Sequence, residues 1–344
     1  MSGHGSGPDP ERERDRAAAF RESVTGANVE LAYAGIKTFM KGDRRDVDDV
    51  DDVDAAVVGV PYDGAVSNRP GARYGPEAIR HASGWWAYLS DYKGGLTNMQ
   101  TGKTVDFDDL SVADCGDVPV FPMDRETTAE SITAHLAAVA AQTFPVLLGG
   151  DHYCTFPAVR GFAEGAGHDS VGFVQIDAHT DTVSESPVFG SEFHGSSTAR
   201  IADSPYVDYD SVSQVGIRGY ESPEFFEFAD ETGLNLYTMR EIEERGVRPV
   251  IEDAVAAAAE DTDAVYVSFD IDGVDPSVAP GTGTPTPGGL SAHQALEIME
   301  VLGAHEAVGA ADLMEVAPRY DSTEGTQRLA AYLLVTLLER AFAE

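Results

Sequence analysis

Short apolar runs alternate with segments of helical periodicity along most of this chain. Eight runs are predicted as strands: Asp54–Val60, Val112–Gly116, Pro145–Gly149, Val171–Asp177, Ser211–Arg218, Asn235–Thr238, Ala264–Asp270 and Ala307–Met314. Seven segments are predicted as helices: Pro76–Leu89, Thr128–Gln142, Thr155–Ala163, Pro223–Glu231, Arg248–Glu260, Ala292–Leu302 and Gly325–Ala343. This alternation predicts an α/β fold, with a mostly parallel sheet that carries helices on both faces.

Polar side chains follow four of the predicted strands, at the point where each strand ends. Residues two apart on an extended chain point to the same side, so they converge in pairs. In open α/β sheets, ligands bind at the carboxyl ends of the strands. The polar residues at these ends are His152, the Asp177-Ala-His179-Thr-Asp181 motif, the Asp270-Ile-Asp272 motif and Glu315. We therefore expect a functional site at this edge of the sheet.

The residue types at these ends indicate a metal site. Four aspartates that face one another repel unless cations lie between them. Mixed carboxylate and imidazole ligands suit Mn²⁺, and Ni²⁺ or Co²⁺ could occupy similar ligands. Six candidate ligands are more than one ion needs, and two ions can activate a shared water at neutral pH. The candidates are His152, Asp177, His179, Asp181, Asp270 and Asp272.

Three residues are candidates for the chemistry around such ions. Asp181 could accept a hydrogen bond from the reacting water while it also binds metal. His194 lies in a Gly/Ser-rich loop that suits a mobile acid or base, although an uninvolved loop histidine remains the alternative. Glu315 ends an otherwise apolar strand, and its carboxylate would match a planar guanidinium through two hydrogen bonds. Asp151 is expected to be structural and to anchor the loop of His152.

The charge of the chain restricts its partners and its environment. The formal net charge of −36 opposes binding to nucleic acid and to anionic membranes. Such a charge is typical of a hydrated surface adapted to molar salt, where the Debye length is only ~3 Å. Two cysteines are too few for a disulfide framework, which predicts a reducing cytoplasm.

The N-terminal segment differs in composition from the rest of the chain. No signal peptide or membrane span is recognisable in the sequence. Residues 1–28 are polar and charged, and they are predicted to form a mobile tail or an oligomer arm. Residues 29–344 contain no repeat or linker, so they are predicted to form a single catalytic domain.

Six motifs together resemble those of the ureohydrolases, the family of arginases and agmatinases. The resemblance covers roughly residues 32–343. The matching segments are Asn68–Arg80, Gly149–His152, Asp177–Asp181, His194–Gly195, Ser268–Leu290 and Met314–Pro318. It implies a three-layer α/β/α fold with an eight-stranded parallel sheet, assembled as homotrimers or homohexamers. It also implies two Mn²⁺ per chain, which would support hydrolysis of a guanidino compound to urea and an amine.

The resemblance also implies a division of the ligands between the two ions. One ion would take His152, Asp177, Asp181 and Asp270. The other would take Asp177, His179, Asp270 and Asp272, so that Asp177 and Asp270 would bridge the pair.

The motifs favour the agmatinase branch, which would produce putrescine and urea from agmatine in polyamine metabolism. Arginases hold the α-ammonium of arginine with an aspartate-bearing loop after a Gly-x-Arg strand. Here Gly219 occupies the first step of that loop. The segment His194–Arg200 departs from guanidinobutyrase-like members, and the chain is longer than compact agmatinases at its tail and at 93–109.

Other functions remain open on sequence alone. Guanidinobutyrate, guanidinopropionate and free guanidine are alternative substrates within the same chemistry. A deacetylase on a related fold would use a single Zn²⁺ and needs fewer carboxylates. A catalytically silent metal-binding subunit is the alternative outside enzymes. A distal carboxylate on the substrate would need an arginine, for which Arg200 and Arg218 are the candidates.

Overall fold

The computed structural model describes residues 15–16, 18–20, 31–99, 102–105, 107 and 110–343. The predicted tail at 1–28 lies almost entirely outside the described residues, as do parts of the 93–109 segment. Within that segment, β3 (Leu96–Thr97) pairs with β4 (Thr104–Val105) in a small antiparallel sheet. In the described part of the chain, no helix is both long and apolar enough to cross a bilayer.

A nine-stranded parallel sheet forms the centre of the molecule. Its strands are β1 (Asp43–Arg44), β2 (Ala55–Gly59), β5 (Val112–Asp117), β6 (Phe144–Leu148), β7 (Val171–Ile176), β8 (Val212–Ile217), β9 (Asn235–Thr238), β10 (Ala264–Asp270) and β11 (Val308–Met314). All eight predicted strands are confirmed. The ninth, β1, has only two residues at the edge of the sheet, too few to leave an apolar pattern in the sequence.

Nine α-helices accompany the sheet in the described residues. They are α1 (Gly75–Lys93), α2 (Arg125–Ala140), α3 (Thr155–Ala166), α4 (Ser197–Ala202), α5 (Phe225–Thr232), α6 (Met239–Arg245), α7 (Val247–Ala259), α8 (Ala292–Gly303) and α9 (Gly325–Phe342). The seven predicted helices are confirmed. The helices α4 and α6 were not predicted, because six or seven residues are too few to show helical periodicity.

The sheet buries apolar side chains on both faces, which produces three layers. On β6, Val146 and Leu148 pack into one core, whereas Leu147 packs into the other. One core contains side chains of α7, α8 and α9, and the other contains those of α2 and α3. The near-continuous apolar strands are therefore explained by burial on both sides. The predicted α/β/α architecture is confirmed.

The strand order brings the four polar strand ends side by side. The order is β1-β5-β2-β6-β11-β10-β7-β8-β9, so β6, β11, β10 and β7 are consecutive neighbours. These are the strands that end before His152, Glu315, the Asp270 pair and the Asp177 motif. Because all pairings in this sheet are parallel, the four ends lie on one edge. This edge is where ligands bind in open α/β sheets.

Candidate metal centre and active site

The loop after β6 holds His152 at the sheet edge through close backbone packing. A Cβ atom at Gly150 would overlap with the carbonyl oxygen of Tyr62, so only glycine allows this approach. Asp151 accepts a hydrogen bond from the amide of Ala65 at 2.7 Å, and its own amide donates to Tyr62 at 2.9 Å. Asp151 therefore anchors the loop, as its position in the sequence indicates.

His152 directs its Nδ1 atom toward three carboxylates. The Nδ1 atom lies 3.0 Å from Oδ2 of Asp177, 2.9 Å from Oδ2 of Asp181 and 3.4 Å from Oδ2 of Asp270. It is buried and forms no hydrogen bond of acceptable geometry with any residue that the structure describes. A lone pair surrounded in this way by carboxylate oxygens is the arrangement that a cation would complete.

The opposite ring nitrogen of His152 is held by a buried chain of hydrogen bonds. Nε2 lies 2.9 Å from Oγ of Ser268, and that hydroxyl donates to Oδ1 of Asp312 at 2.6 Å. Since the Ser268 proton is directed to Asp312, the Ser268 oxygen accepts from Nε2. The proton of a neutral His152 therefore sits on Nε2, and Nδ1 is free to bind metal.

A second cluster lies next to the first and shares Asp177 with it. The Nδ1 atom of His179 lies 3.5 Å from Oδ1 of Asp177 and 3.1 Å from Oδ2 of Asp272. The Nε2 atom of His179 is held at 3.2 Å by the hydroxyl of Thr286. Asp177 thus turns one oxygen toward each histidine, so it can bridge two ions. His179 is more accessible than His152, with 40% of its side chain exposed.

Two buried glutamines support the Asp177 carboxylate. The amide of Gln175 donates to Oδ2 of Asp177 at 2.7 Å. Its carbonyl oxygen accepts from Gln214 at 2.7 Å and from the hydroxyl of Thr198 at 2.7 Å. These bonds fix the amide orientation and therefore the position of the Asp177 carboxylate.

The acid groups need neutralising charge. Burial, followed by repulsion from Asp272 and Asp177, raises the pKa of Asp270 well above its usual range. Burial and repulsion from Asp177 raise the pKa of Asp272 to about 6. His179, despite its burial, has its pKa raised to about 12 by Asp272 and Asp177. Divalent cations could supply the positive charge that protons otherwise provide, so the residues fit a pair of such ions.

His194 and Glu315 form a contact beside the two clusters. The Nδ1 atom of His194 lies 2.8 Å from Oε1 of Glu315. The same oxygen accepts the amide of His152 at 3.0 Å, whereas Oε2 is buried and has no hydrogen-bond partner within the described part of the chain. Burial opposes the charge on His194, but Glu315 outweighs it and raises the pKa of the imidazole to about 9.

Two non-glycine residues of the site adopt left-handed backbone conformations. Asp181 has a φ of 51° and Glu315 a φ of 63°. Such conformations are disfavoured for residues with a Cβ and persist where the surrounding structure fixes them. Across from Glu315, a Cβ at Gly283 would lie 3.6 Å from the unpartnered Oε2, so a side chain there would narrow the space.

The comparisons with known proteins identify the family. Residues 53–339 match the model of the Arginase family. The chain belongs to the arginase family. It is 39% identical to the agmatinase of Chromobacterium violaceum and 36% identical to the guanidinobutyrase of Pseudomonas aeruginosa. These alignments cover 93% of both chains for the first, and 91% of this chain and 94% of the relative for the second.

A solved arginase-family structure agrees with the fold. The structure of proclavaminate amidinohydrolase from Streptomyces clavuligerus superposes with a TM-score of 0.79 at 34% identity. The superposition covers 92% of this chain and all of that one. The family resemblance of the sequence motifs is thereby confirmed.

The structure brings all eight site residues predicted for this arginase-family chain to one place. They are His152, Asp177, His179, Asp181, Asp270, Asp272, His194 and Glu315, and all except His179 and Asp181 are buried. Supporting residues were missed by the sequence analysis: Ser67, Gln175, Glu221, Ser268, Thr286 and Asp312. Gln175 and Asp312 could have been recognised from the sequence. Each is a lone polar residue in an otherwise apolar strand, and such a side chain needs a hydrogen-bond partner when it is buried.

A cavity of about 270 Å³ opens over the clusters. Its lining includes His179, Asp181, His194, Asp270 and Glu221. The Glu221 carboxylate accepts a hydrogen bond from the hydroxyl of Thr180 at 2.8 Å. Among the residues that the structure describes, no lysine or arginine lines this cavity. The lining of this cavity is therefore acidic, and Glu221 is part of it.

The two arginines considered as partners of a distal carboxylate have other roles. All three side-chain nitrogens of Arg218 donate to backbone carbonyls, those of Gly216, Asp272, Gly273 and Thr286. Arg200 contacts Asp203 at 2.7 Å and the carbonyl of Ser184 at 3.3 Å. Arg218 thus clamps the loops that carry Asp272 and Thr286, and neither arginine lines the cavity.

Proposed function

We propose that this chain is a binuclear-metal amidinohydrolase that hydrolyses agmatine to putrescine and urea. The observation that carries the proposal is the Nδ1 atom of His152, which is buried, unpaired and set among three carboxylates. His152, Asp177, Asp181 and Asp270 would hold one ion. Asp177, His179, Asp270 and Asp272 would hold the other. Two Mn²⁺ ions, when bound, would activate water at neutral pH.

The residues around the ions then have distinct roles. Asp181 accepts a hydrogen bond from the attacking water and orients it toward the guanidinium carbon. Glu315 binds the guanidinium, because its Oε2 is buried and has no other partner. His194 donates a proton to the leaving amine nitrogen when the C–N bond breaks, and Glu315 stabilises the charged imidazole before that step.

Agmatine is favoured over guanidino acids by the charge of the cavity. The distal ammonium of agmatine would face Glu221 at the wall of the cavity. A distal carboxylate would face that same acid with no lining arginine or lysine among the described residues to bind it. The net charge of −36 also raises the local concentration of cationic substrates. The relatives include both an agmatinase and a guanidinobutyrase, so sequence identity alone does not separate these substrates.

A urea-release assay with purified protein and added Mn²⁺ tests the proposal. The substrates compared are agmatine, arginine, 4-guanidinobutyrate, 3-guanidinopropionate and guanidine, and we expect the highest kcat/KM with agmatine. Glu221→Gln should lower kcat/KM for agmatine about five-fold, mainly through KM. A preference for 4-guanidinobutyrate would overturn agmatine as the substrate. Cleavage of guanidine alone would indicate that the cavity is too closed above the metal ions to admit the longer substrates.

Two further measurements separate the remaining alternatives. A metal content near two ions per chain would exclude a single-zinc deacetylase, and Mn²⁺ would be distinguished from Ni²⁺ and Co²⁺ by activity after reconstitution. Two bound ions without urea release from any guanidino compound would identify a catalytically silent subunit. We further propose a homotrimer or homohexamer located in the cytoplasm, which sedimentation and fractionation would test.

A further inference from the structure

The loop after β2 places Ser67 against the imidazole of His194. The amide nitrogen of Ser67 lies 3.0 Å from Nε2 of His194, and its hydroxyl lies 2.6 Å from the same atom. Ser67 is exposed and lines the cavity over the acidic clusters, whereas His194 is 8% exposed. Both residues line this cavity, so the Ser67 hydroxyl is accessible from the cavity as well as in contact with Nε2.

Two hydrogen bonds fix this loop to the rest of the site, and a third closes the loop on itself. The amide of His194 donates to the carbonyl of Ala65 at 3.0 Å, and the amide of Ala65 donates to Asp151 at 2.7 Å. Asp63 accepts the amide of Gly71 at 2.7 Å, at the other end of the loop. Asp151 thus joins the loop of Ser67 to the loop of His152.

The partners of the two ring nitrogens determine where protons sit on His194. Nδ1 faces Oε1 of Glu315, which also accepts the amide of His152, so this oxygen acts as the acceptor and Nδ1 carries a proton. Nε2 faces the backbone amide of Ser67, which only donates, so Nε2 of the neutral ring is an acceptor. When Nε2 gains a proton, the hydroxyl of Ser67 can change from donor to acceptor, which the amide cannot do.

We propose that Ser67 relays the proton from Nε2 of His194 to the leaving amine nitrogen. Nε2–H gives its proton to Oγ of Ser67, while the Ser67 hydroxyl gives its own proton to the amine as the C–N bond breaks. The net transfer is one proton, and the serine is regenerated. This inference rests on the proposed function, since it names the route of the proton in that reaction.

The route follows from the geometry around Nε2. Among the described residues, Ser67 supplies both hydrogen-bonding partners of Nε2, so the direction in which its proton would point is occupied. A proton that leaves Nε2 toward the cavity must pass through this hydroxyl or wait for the loop to move. The anchors at Asp63, Ala65 and Asp151 oppose such a movement.

Ser67→Ala tests the relay because it removes the hydroxyl and keeps the amide. We expect kcat to fall about 10²-fold with little change in KM or metal content. Ser67→Thr, which keeps a hydroxyl, should recover most of the rate. Ser170→Ala is a matched control, because Ser170 immediately precedes β7 at the opposite edge of the sheet. Wild-type kcat in Ser67→Ala, or loss of metal from it, would overturn the proposal.

A labelling experiment separates this inference from the proposed function, because it needs no substrate. Diethyl pyrocarbonate acylates unprotonated imidazole nitrogens, and mass spectrometry of peptides measures the rate at His194. Removing the hydroxyl should speed acylation of His194 several-fold in Ser67→Ala but not in Ser170→Ala. Equal rates would contradict the contact itself. A protein that shows the labelling contrast but releases no urea from any guanidino compound would refute the proposed function and, with it, the relay.

Discussion

The hydroxyl of Ser268 joins His152 to Asp312, and it thereby selects which nitrogen of His152 faces the acidic clusters. Asp312 is itself fixed by the hydroxyls of Thr155 at 2.8 Å and Tyr266 at 3.1 Å. Burial raises the pKa of Asp312 to about 6, although the nearby His152 and these hydroxyls oppose the shift. A carboxylate outside the candidate metal site therefore orients one of the candidate ligands.

Ser268→Ala should weaken metal binding by about 10- to 100-fold, because the His152 ring loses its acceptor and its fixed orientation. The affinity is measured by competition with a chelator of known strength. Ser213→Ala is the matched control, since Ser213 is also buried on a strand but its hydroxyl has no partner. Equal affinities for the two variants would contradict the role of the hydrogen-bond chain.

Asp177→Ala should remove both ions, whereas Asp272→Ala should mainly affect one. Asp177 belongs to both clusters, and Asp272 belongs only to the cluster of His179. Removing the shared residue also leaves the other acids without their counter-charge. Metal content after gel filtration distinguishes the variants. If Asp177→Ala retains two ions and wild-type turnover, the bridging assignment is wrong.

His194→Ala should keep both ions and lower kcat by about 10²–10⁴-fold. The imidazole contacts Glu315 and Ser67, and among the described residues it forms no hydrogen bond or ion pair with the carboxylates of the clusters. Its removal therefore takes away a proton donor without disturbing the ligands. Metal analysis and urea release on the same sample test both halves of this expectation. Loss of metal would show that His194 acts as a ligand.

Whether a site residue can be predicted from the sequence depends on how far apart along the chain it and its contact partner lie. His152, Asp177 and Asp270 could be recognised because each ends its own apolar strand, and parallel strands share one edge. Ser67 could not, since its contact with His194 spans 127 positions and depends on how two loops meet. Glu221 could not be predicted either, because the approach of its loop to the cavity depends on the folded chain.

The metal-free protein should become less stable as pH rises from about 4 to 6. The pKa values of Asp272 and Asp312 are raised to about 6, so both acids bind protons more tightly in the folded chain than in the unfolded chain. Their stabilising contribution is present below about pH 4 and is lost as pH rises through 6. His179, with a pKa raised to about 12, extends the loss above pH 6.5.

Thermal unfolding with and without Mn²⁺ tests this dependence. Without metal, Tm should fall by roughly 5 °C across this range. With saturating Mn²⁺ the trend should reverse, because deprotonated ligands bind the ion more tightly. The measurements belong in molar salt, so that general charge repulsion is screened. A metal-free Tm that rises with pH would show that the acids are neutralised in another way.

Salt should be required to keep the chain folded and assembled. Each chain carries a net charge of −36, and the exposed acids include the run from Asp46 to Asp52. At about 10 mM salt the Debye length is ~30 Å, so charges on neighbouring subunits repel across the whole interface. Light scattering and circular dichroism in dilute buffer should therefore report dissociation or unfolding, reversed in molar KCl.

Because the Debye length falls to ~3 Å in molar salt, chloride and sulfate salts should act alike at equal ionic strength if screening is the cause. An unchanged oligomer with full activity at about 10 mM salt would rule out this adaptation.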